Sequence, residues 1–338
     1  VRTPERLAFR SICCGLLLLA AHAQAQVNDN WANRTQIVAL PFTVAETQVS
    51  QATRELTDLE PVCVPTFSNP ISHTLWYGYT TGPTAEYLTL RGTTTSVAAS
   101  ISVYTGTPGA FRLETGGCAT HDGGLGNARL AGIRLRPGTS YSIMVGSMFN
   151  VSPGQTLDFD VRAASLYQVT TTADVDDQAC DATCSLREAI SASNATPGAV
   201  LIPVGAYTVT LTGQLDDDNA TGDFDVRAGM GIYGAGMGAT VIDSGGFDRV
   251  LDLIPQLSGF LPSTVIVGDL TVTGGRMSGF PIGQGDGGGI RSGNINTVDY
   301  LGLERVALED NQAESGGGAF LASRSMVRES LFAGNAAT

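Results

Sequence analysis

The chain has 338 residues, 43% of them hydrophobic and 42 of them glycine, with a formal net charge of −13. That length suits two domains with a sizeable core, and the apolar content excludes a disordered chain. The acidic balance excludes a nucleic-acid partner or an anionic membrane surface on electrostatic grounds.

Arg2, Arg6 and Arg10 precede the apolar run Ile12 to Ala21 and then Ala23-Gln24-Ala25. This is the layout of a secretory signal peptide over residues 1–25, with cleavage after Ala25. The run is too short to span a bilayer, and no other stretch could span one, so the mature chain is expected outside the cell with no transmembrane segment. Removing residues 1–25 leaves Cys63, Cys118, Cys180 and Cys184. Export favours disulfides, and four cysteines allow three pairings. The division into domains favours Cys63–Cys118 and Cys180–Cys184. Zinc at the Cys180/Cys184 pair is disfavoured, because a structural site needs four ligands and no histidine follows His121.

Residues 26–164 read as short strands with turn punctuation. Thr74-Leu-Trp-Tyr-Gly-Tyr79, Ser100-Ile-Ser-Val-Tyr104, Leu130 to Leu135 and Ser140 to Val145 are β-branched or aromatic, and Pro137-Gly138 joins two of them. Seven or eight such strands predict an antiparallel sandwich. Asn28-Asp-Asn-Trp-Ala-Asn33, Leu75-Trp-Tyr77, Val103-Tyr-Thr-Gly106 and Arg136-Pro-Gly-Thr-Ser-Tyr141 resemble the bacterial pre-peptidase C-terminal domain, a jelly-roll-like accessory module of secreted proteins. That resemblance implies calcium at an acidic loop, which here holds the single carboxylate Asp122.

At residue 165 the grain changes. Ser185 and Glu188 form a capping box, and Leu186, Ala189 and Ile190 share one helical face. The spacing predicts a two-turn helix to about Ser193, stopped by Pro197-Gly198, whose apolar face must be buried for the helix to form. Short strands follow without helical periodicity, among them Val200 to Ile202, Tyr207 to Leu211, Thr240 to Ile242, Val250 to Leu253, Thr264 to Val267 and Leu270 to Thr273. Gly287-Gly-Gly-Ile290 recurs as Gly316-Gly-Gly-Ala319, and Val306 to Asn311 recurs as Ser330 to Asn335. Repeats of this length with short strands predict a solenoid whose asparagines stack.

Cys184-Ser-Leu-Arg-Glu-Ala-Ile190, with Cys180 and Thr170 to Asp177 before it, resembles the CSLREA domain of bacterial surface and secreted proteins. In that family the motif opens a right-handed parallel β-helix, and the Gly-Gly-Gly and Asn pattern is similar to polymorphic outer-membrane protein repeats. The expected class is therefore all-β: an antiparallel, jelly-roll-like sandwich over 26–164, then a capping helix and a right-handed parallel β-helix over 165–338. The repeat is still running at Thr338, which implies a piece of a longer chain or a last coil that needs a partner.

Three chemical signals stand out. From Asp217, side-chain oxygens fall at Asn219, Thr221, Asp223 and Asp225 with Gly222 at the turn, a partial imitation of a calcium loop; position twelve is Ala228 instead of glutamate. An Asx-rich turn is the competing reading, and calcium is the sole cofactor the sequence suggests. Gly229-Met-Gly-Ile-Tyr-Gly234 fits a dinucleotide pattern, but no helix follows it, so glycine turns explain it better. Asp243, Asp248, Arg249, Asp252 and Asp286 are the carboxylate–arginine set that a polysaccharide lyase or glycoside hydrolase on this fold would use. The favoured expectation is a non-catalytic surface or secreted protein for adhesion or glycan binding, with a polysaccharide or cell-surface ligand as partner. The hydrolase or lyase is the alternative. Asp243, Asp248, Arg249 and Asp252 gathered in one groove would favour the enzyme.

Overall fold

The computed structural model describes residues 26–45, 49–63, 71–94, 98–120, 126–147, 151–214, 216–254, 264–277, 279, 284–292 and 300–338. The signal peptide expected over residues 1–25 and the acidic loop with Asp122 lie outside the described residues. Strand takes 47% of the described residues and helix 6%, so the fold is all-β.

The first half forms two sheets face to face. One runs in the order Thr35–Ile37, His73–Thr80, Ser140–Ser147, Ala99–Thr105, Arg112–Thr120; the other runs Phe42–Val44, Asp158–Ala163, Glu86–Thr93, Ala128–Leu135. All neighbours are antiparallel except the edge strand Thr35–Ile37, which pairs parallel with His73–Thr80. Strand alternation sends neighbouring aromatics to opposite faces. Tyr77 meets Phe159 (ring centroids 4.6 Å apart) in the sandwich core, while Trp76 stacks on Phe111 at 5.3 Å on the other side. Trp76 is buried there, and Asp58 accepts its indole N–H at 3.1 Å. The Cys63–Cys118 disulfide ties the segment before His73 to the sheet.

The second half is a stack of parallel coils. One face is built from Leu166–Gln168, Ala199–Leu201, Met230–Tyr233, the first parts of Thr264–Thr273 and Tyr300–Glu309, and Arg324–Arg328. A second face holds Gly205–Thr208, Thr240–Asp243, the later parts of the same two long strands, and Leu331–Ala333. A third holds Phe224–Val226, Leu251–Leu253, Ile290–Ser292 and Ala319–Leu321. The two long strands bend at Asp269 and Arg305, whose φ values of 56° and 53° are left-handed, so the separately expected runs Thr264 to Val267 and Leu270 to Thr273 are two arms of one strand. Val200, Ile232, Ile242, Val265, Leu251, Leu303 and their stack neighbours fill one apolar interior. The glycine triplets stack as their repetition predicts, Gly289 N–H donating to Gly317 O at 3.0 Å. The asparagine echo also becomes contact: Asn311 Nδ2 donates to Asn335 Oδ1 at 3.0 Å and to Val272 O at 3.0 Å.

The helix α1, Leu186–Ala195, runs two residues past the expected Ser193. Its capping box is complete, with Ser185 accepting from Glu188 N–H and Glu188 accepting from Ser185 N–H at 2.7 Å. Leu186, Ala189 and Ile190 close the apolar interior at the first coil. Cys180 and Cys184 are bridged beside it.

The sandwich is docked against the first face of the coil stack. The outward residues Ala199, Tyr233 and Ile266 belong to the sandwich's own apolar cluster. Here the glycine run at 229–234 is corrected: it contains the strand Met230–Tyr233 rather than turns. A Cβ on Gly231 would lie 2.4 Å from Gly132 O, so glycine admits the neighbouring backbone. Gly132 itself, at φ 68°, would place a Cβ 2.1 Å from Gly198 O. Gly132→Ala is expected to cost at least about 1–3 kcal/mol, because left-handed strain and backbone overlap add; urea denaturation monitored by tryptophan fluorescence checks it.

Polar contacts lock the same junction. Tyr233 donates its hydroxyl to Gly132 O at 3.0 Å and accepts Arg134 N–H at 3.0 Å. Asp269 pairs with Arg134 at 2.5 Å and with Arg305 at 2.6 Å. Burial opposes ionisation of Asp269, but hydrogen bonds from Arg305 and the charge of Arg134 outweigh it and hold the carboxyl below its ordinary range. A depressed carboxyl pKa gives stability that is present above the unfolded value of about 3.9 and is lost as pH falls through the lowered folded value. The stability difference between the wild type and Asp269→Asn is therefore expected to be constant above about pH 5 and to vanish in strong acid; denaturant titrations at stepped pH check it.

Candidate functional site

The third face carries the chemistry. In Phe224–Val226, Leu251–Leu253 and Ile290–Ser292 the flanking Phe224, Val226, Leu251, Leu253 and Ile290 enter the apolar interior, so the middle residues must point away from it. The register aligns Asp225 with Asp252, Asp252 with Arg291 and Arg291 with Phe320. A column of charges thus climbs the outer side of this face.

Those charges are covered rather than solvated. Asp223, Asp225, Asp248, Arg249 and Asp252 are each at most 2% exposed. Arg249 donates to Asp252 Oδ2 at 2.6 Å and to Gln284 O at 2.7 Å. Arg291 grips both oxygens of Asp252, with Nε to Oδ1 at 2.8 Å. Asp248 accepts Arg249 N–H at 2.7 Å. The turn over 216–222 forms the lid. Asn219 N–H donates to Asp225 Oδ2 at 2.7 Å, Asp225 N–H donates to Asn219 Oδ1 at 3.1 Å, and Asp216 accepts Thr221 N–H at 2.9 Å.

Arg187 of α1 holds this lid down. Its guanidinium forks onto Asp174 (2.8 and 3.3 Å), donates to the carbonyls of Asn219, Gly222 and Asp223 (3.3, 2.9 and 3.1 Å), and lies 4.8 Å over the Phe224 ring. Asp174 also accepts Thr210 and Leu211 N–H at 2.8 and 2.9 Å.

Two oxygens in the cluster have no hydrogen-bond partner, Asp223 Oδ1 and Asp225 Oδ1. Desolvation first, then the charges of Asp248, Asp252 and Asp225, raise the Asp223 carboxyl well above its ordinary value against the pull of Arg249. Desolvation likewise pushes Asp225 up to about 8, with Asn219 N–H opposing and Asp252, Asp216 and Asp217 adding. Asp217 is exposed, and one oxygen each of Asp217, Asp225 and Asp252 lie within 4.8 Å of one another.

The expected sets are redistributed. Asp248, Arg249 and Asp252 do come together, joined by Asp223, Asp225 and Arg291. Asp243 lies on the second face and accepts Gly245 N–H at 2.8 Å, and Asp286 sits half-buried at a bridge to Ser315. In the proposed calcium loop, the side chains of Asn219 and Thr221 hold Asp225 and Asp216 in place, so the alternate-position set does not converge on one point. The sequence reading missed Asp174, Arg187 and Arg291. A signal existed for the last: a charged residue sits mid-strand in Phe-Asp-Val, Leu-Asp-Leu and Ile-Arg-Ser. Chemically the cluster can bind a hard cation or a proton, whereas reaching a sugar requires exposure these side chains lack.

No protein-family model and no curated protein matches the chain. Among solved structures, the pre-peptidase C-terminal domain of a collagenase from Bacillus anthracis aligns at 11% identity over 38% of this chain and 94% of its own, with a TM-score of 0.24. The catalytic domain of a GH87 alpha-1,3-glucanase in complex with tetrasaccharides aligns at 13% identity over 86% of this chain, with a TM-score of 0.29. The chain spans about half of that domain, 52%. At such scores the likeness fixes neither fold nor chemistry.

Proposed function

We propose that this is a non-catalytic extracellular protein, a CSLREA-type β-helix with a docked sandwich, that binds a polymeric glycan on the second face of its coil stack. The observation that carries the reading is a row of polar side chains in register on that face, Thr208, Asp243, Thr273 and Glu309, all at least partly exposed. Their strand neighbours Tyr207, Ile242, Val272 and Leu308 enter the interior, so the row faces outward. Repeated donors and acceptors at coil spacing match a ligand that itself repeats. Two disulfides suit an oxidising compartment, and among the described residues no helix is long and apolar enough to cross a membrane.

Glu309→Ala combined with Thr208→Ala is expected to weaken retention on a glycan column at least several-fold while leaving the melting temperature within about 1–2 °C, since partly exposed polar groups contribute little to stability. Unchanged retention would remove this face from the reading. One observation favours a glycoside hydrolase instead: the raised carboxyls of Asp223 and Asp225 are the type a general acid needs. That reading requires the 216–222 lid to open.

A further inference from the structure

We propose that the third face and its lid form a divalent-cation site, with Asp217, Asp225 and Asp252 supplying carboxylate ligands and calcium as the ion. This site is separate from the glycan-binding row and does not depend on it.

Geometry comes first. Oxygens bound to one calcium at about 2.3–2.6 Å lie no more than about 5 Å apart, and the three carboxylates offer oxygens within 4.8 Å of one another. Asp225 is fixed in aim, because Asn219 N–H holds Oδ2 while the buried Oδ1 is left without a partner. Leaving such a group unmet in a dry interior is costly, and a cation at this point satisfies it.

Charge agrees with geometry. Four carboxylates, Asp217, Asp223, Asp225 and Asp252, face two guanidiniums, Arg249 and Arg291, so carboxylates outnumber the cations beside them. Asp252 already accepts three guanidinium N–H groups. A carboxylate has about four acceptor positions, so it retains one for a metal. An all-oxygen donor set selects a hard ion over zinc or copper. Asp217 is exposed, which gives the ion a way in. The bound ion would tie the lid to two successive coils beneath the capping helix.

The test uses the full chain after chelator treatment. Calcium chloride is titrated at constant ionic strength while thermal unfolding and binding heat are recorded, with magnesium chloride as a parallel arm. The expected result is a saturable rise in melting temperature with calcium. Asp217→Asn should keep the metal-free melting temperature and need at least about tenfold more calcium, because one charged ligand is lost. Asp225→Asn should abolish the response. No shift in the wild type at millimolar calcium overturns the proposal. Equal responses in the wild type and Asp217→Asn also overturn it, since the ion would then bind elsewhere. A response to magnesium alone overturns the choice of ion.

Discussion

Arg187→Met is expected to lower the stability of the chain by about 3–5 kcal/mol, the cost of removing one partner from a buried ion pair. The guanidinium is 0% exposed and its partner Asp174 only 3%. Its loss leaves a buried carboxylate facing nothing but two backbone N–H groups, and strips the carbonyls of Asn219, Gly222 and Asp223 of their shared donor. The damage spreads because Arg187 joins three separate pieces: the strand-entry segment with Asp174, the helix cap, and the lid. Lysine should rescue little, since a point charge cannot fork onto a carboxylate and also reach three carbonyls. The double variant Asp174→Leu with Arg187→Met should be more stable than Arg187→Met alone, because no unpaired charge remains. Urea denaturation of the three proteins measures all of these differences.

Asp252→Ala should be nearly as damaging, by about 3–5 kcal/mol on the same grounds. Its carboxylate is the shared partner of Arg249 and Arg291, and Arg249 is 2% exposed. Without it, two guanidiniums face each other across a buried gap. Asp252→Asn should lose less, as the amide oxygen still accepts one of the N–H groups. Replacing Asp243, which sits outside the cluster, should change stability by under about 1 kcal/mol. That contrast separates the residues which the sequence placed in one candidate set.

The legibility of the chain followed the physics of each feature. The cap was readable because Ser185, Glu188, Leu186, Ala189 and Ile190 act on their near neighbours, and helix spacing is local. The stacked asparagines were readable because Asn311 and Asn335 recur at the period of the coil. The docked junction was not, because nothing near Gly132 or Gly231 in sequence reveals that the two backbones meet. The charged column was half visible. Asp248, Arg249 and Asp252 are neighbours in the chain, whereas Arg291 reaches Asp252 only through the register of successive coils. Arg187 was hidden by its place on a short amphipathic helix, where an arginine beside the apolar stripe reads as solvated. Here a folded-back turn covers it.

The most direct measurement exposes the chain to a panel of polysaccharides and records retention and new reducing ends in the same samples. The account predicts retention on at least one glycan, no new ends, and loss of retention in the Glu309→Ala, Thr208→Ala variant. New chain ends that disappear in Asp225→Asn would contradict it, and would make the buried carboxylates of the third face an active centre beneath an opening lid.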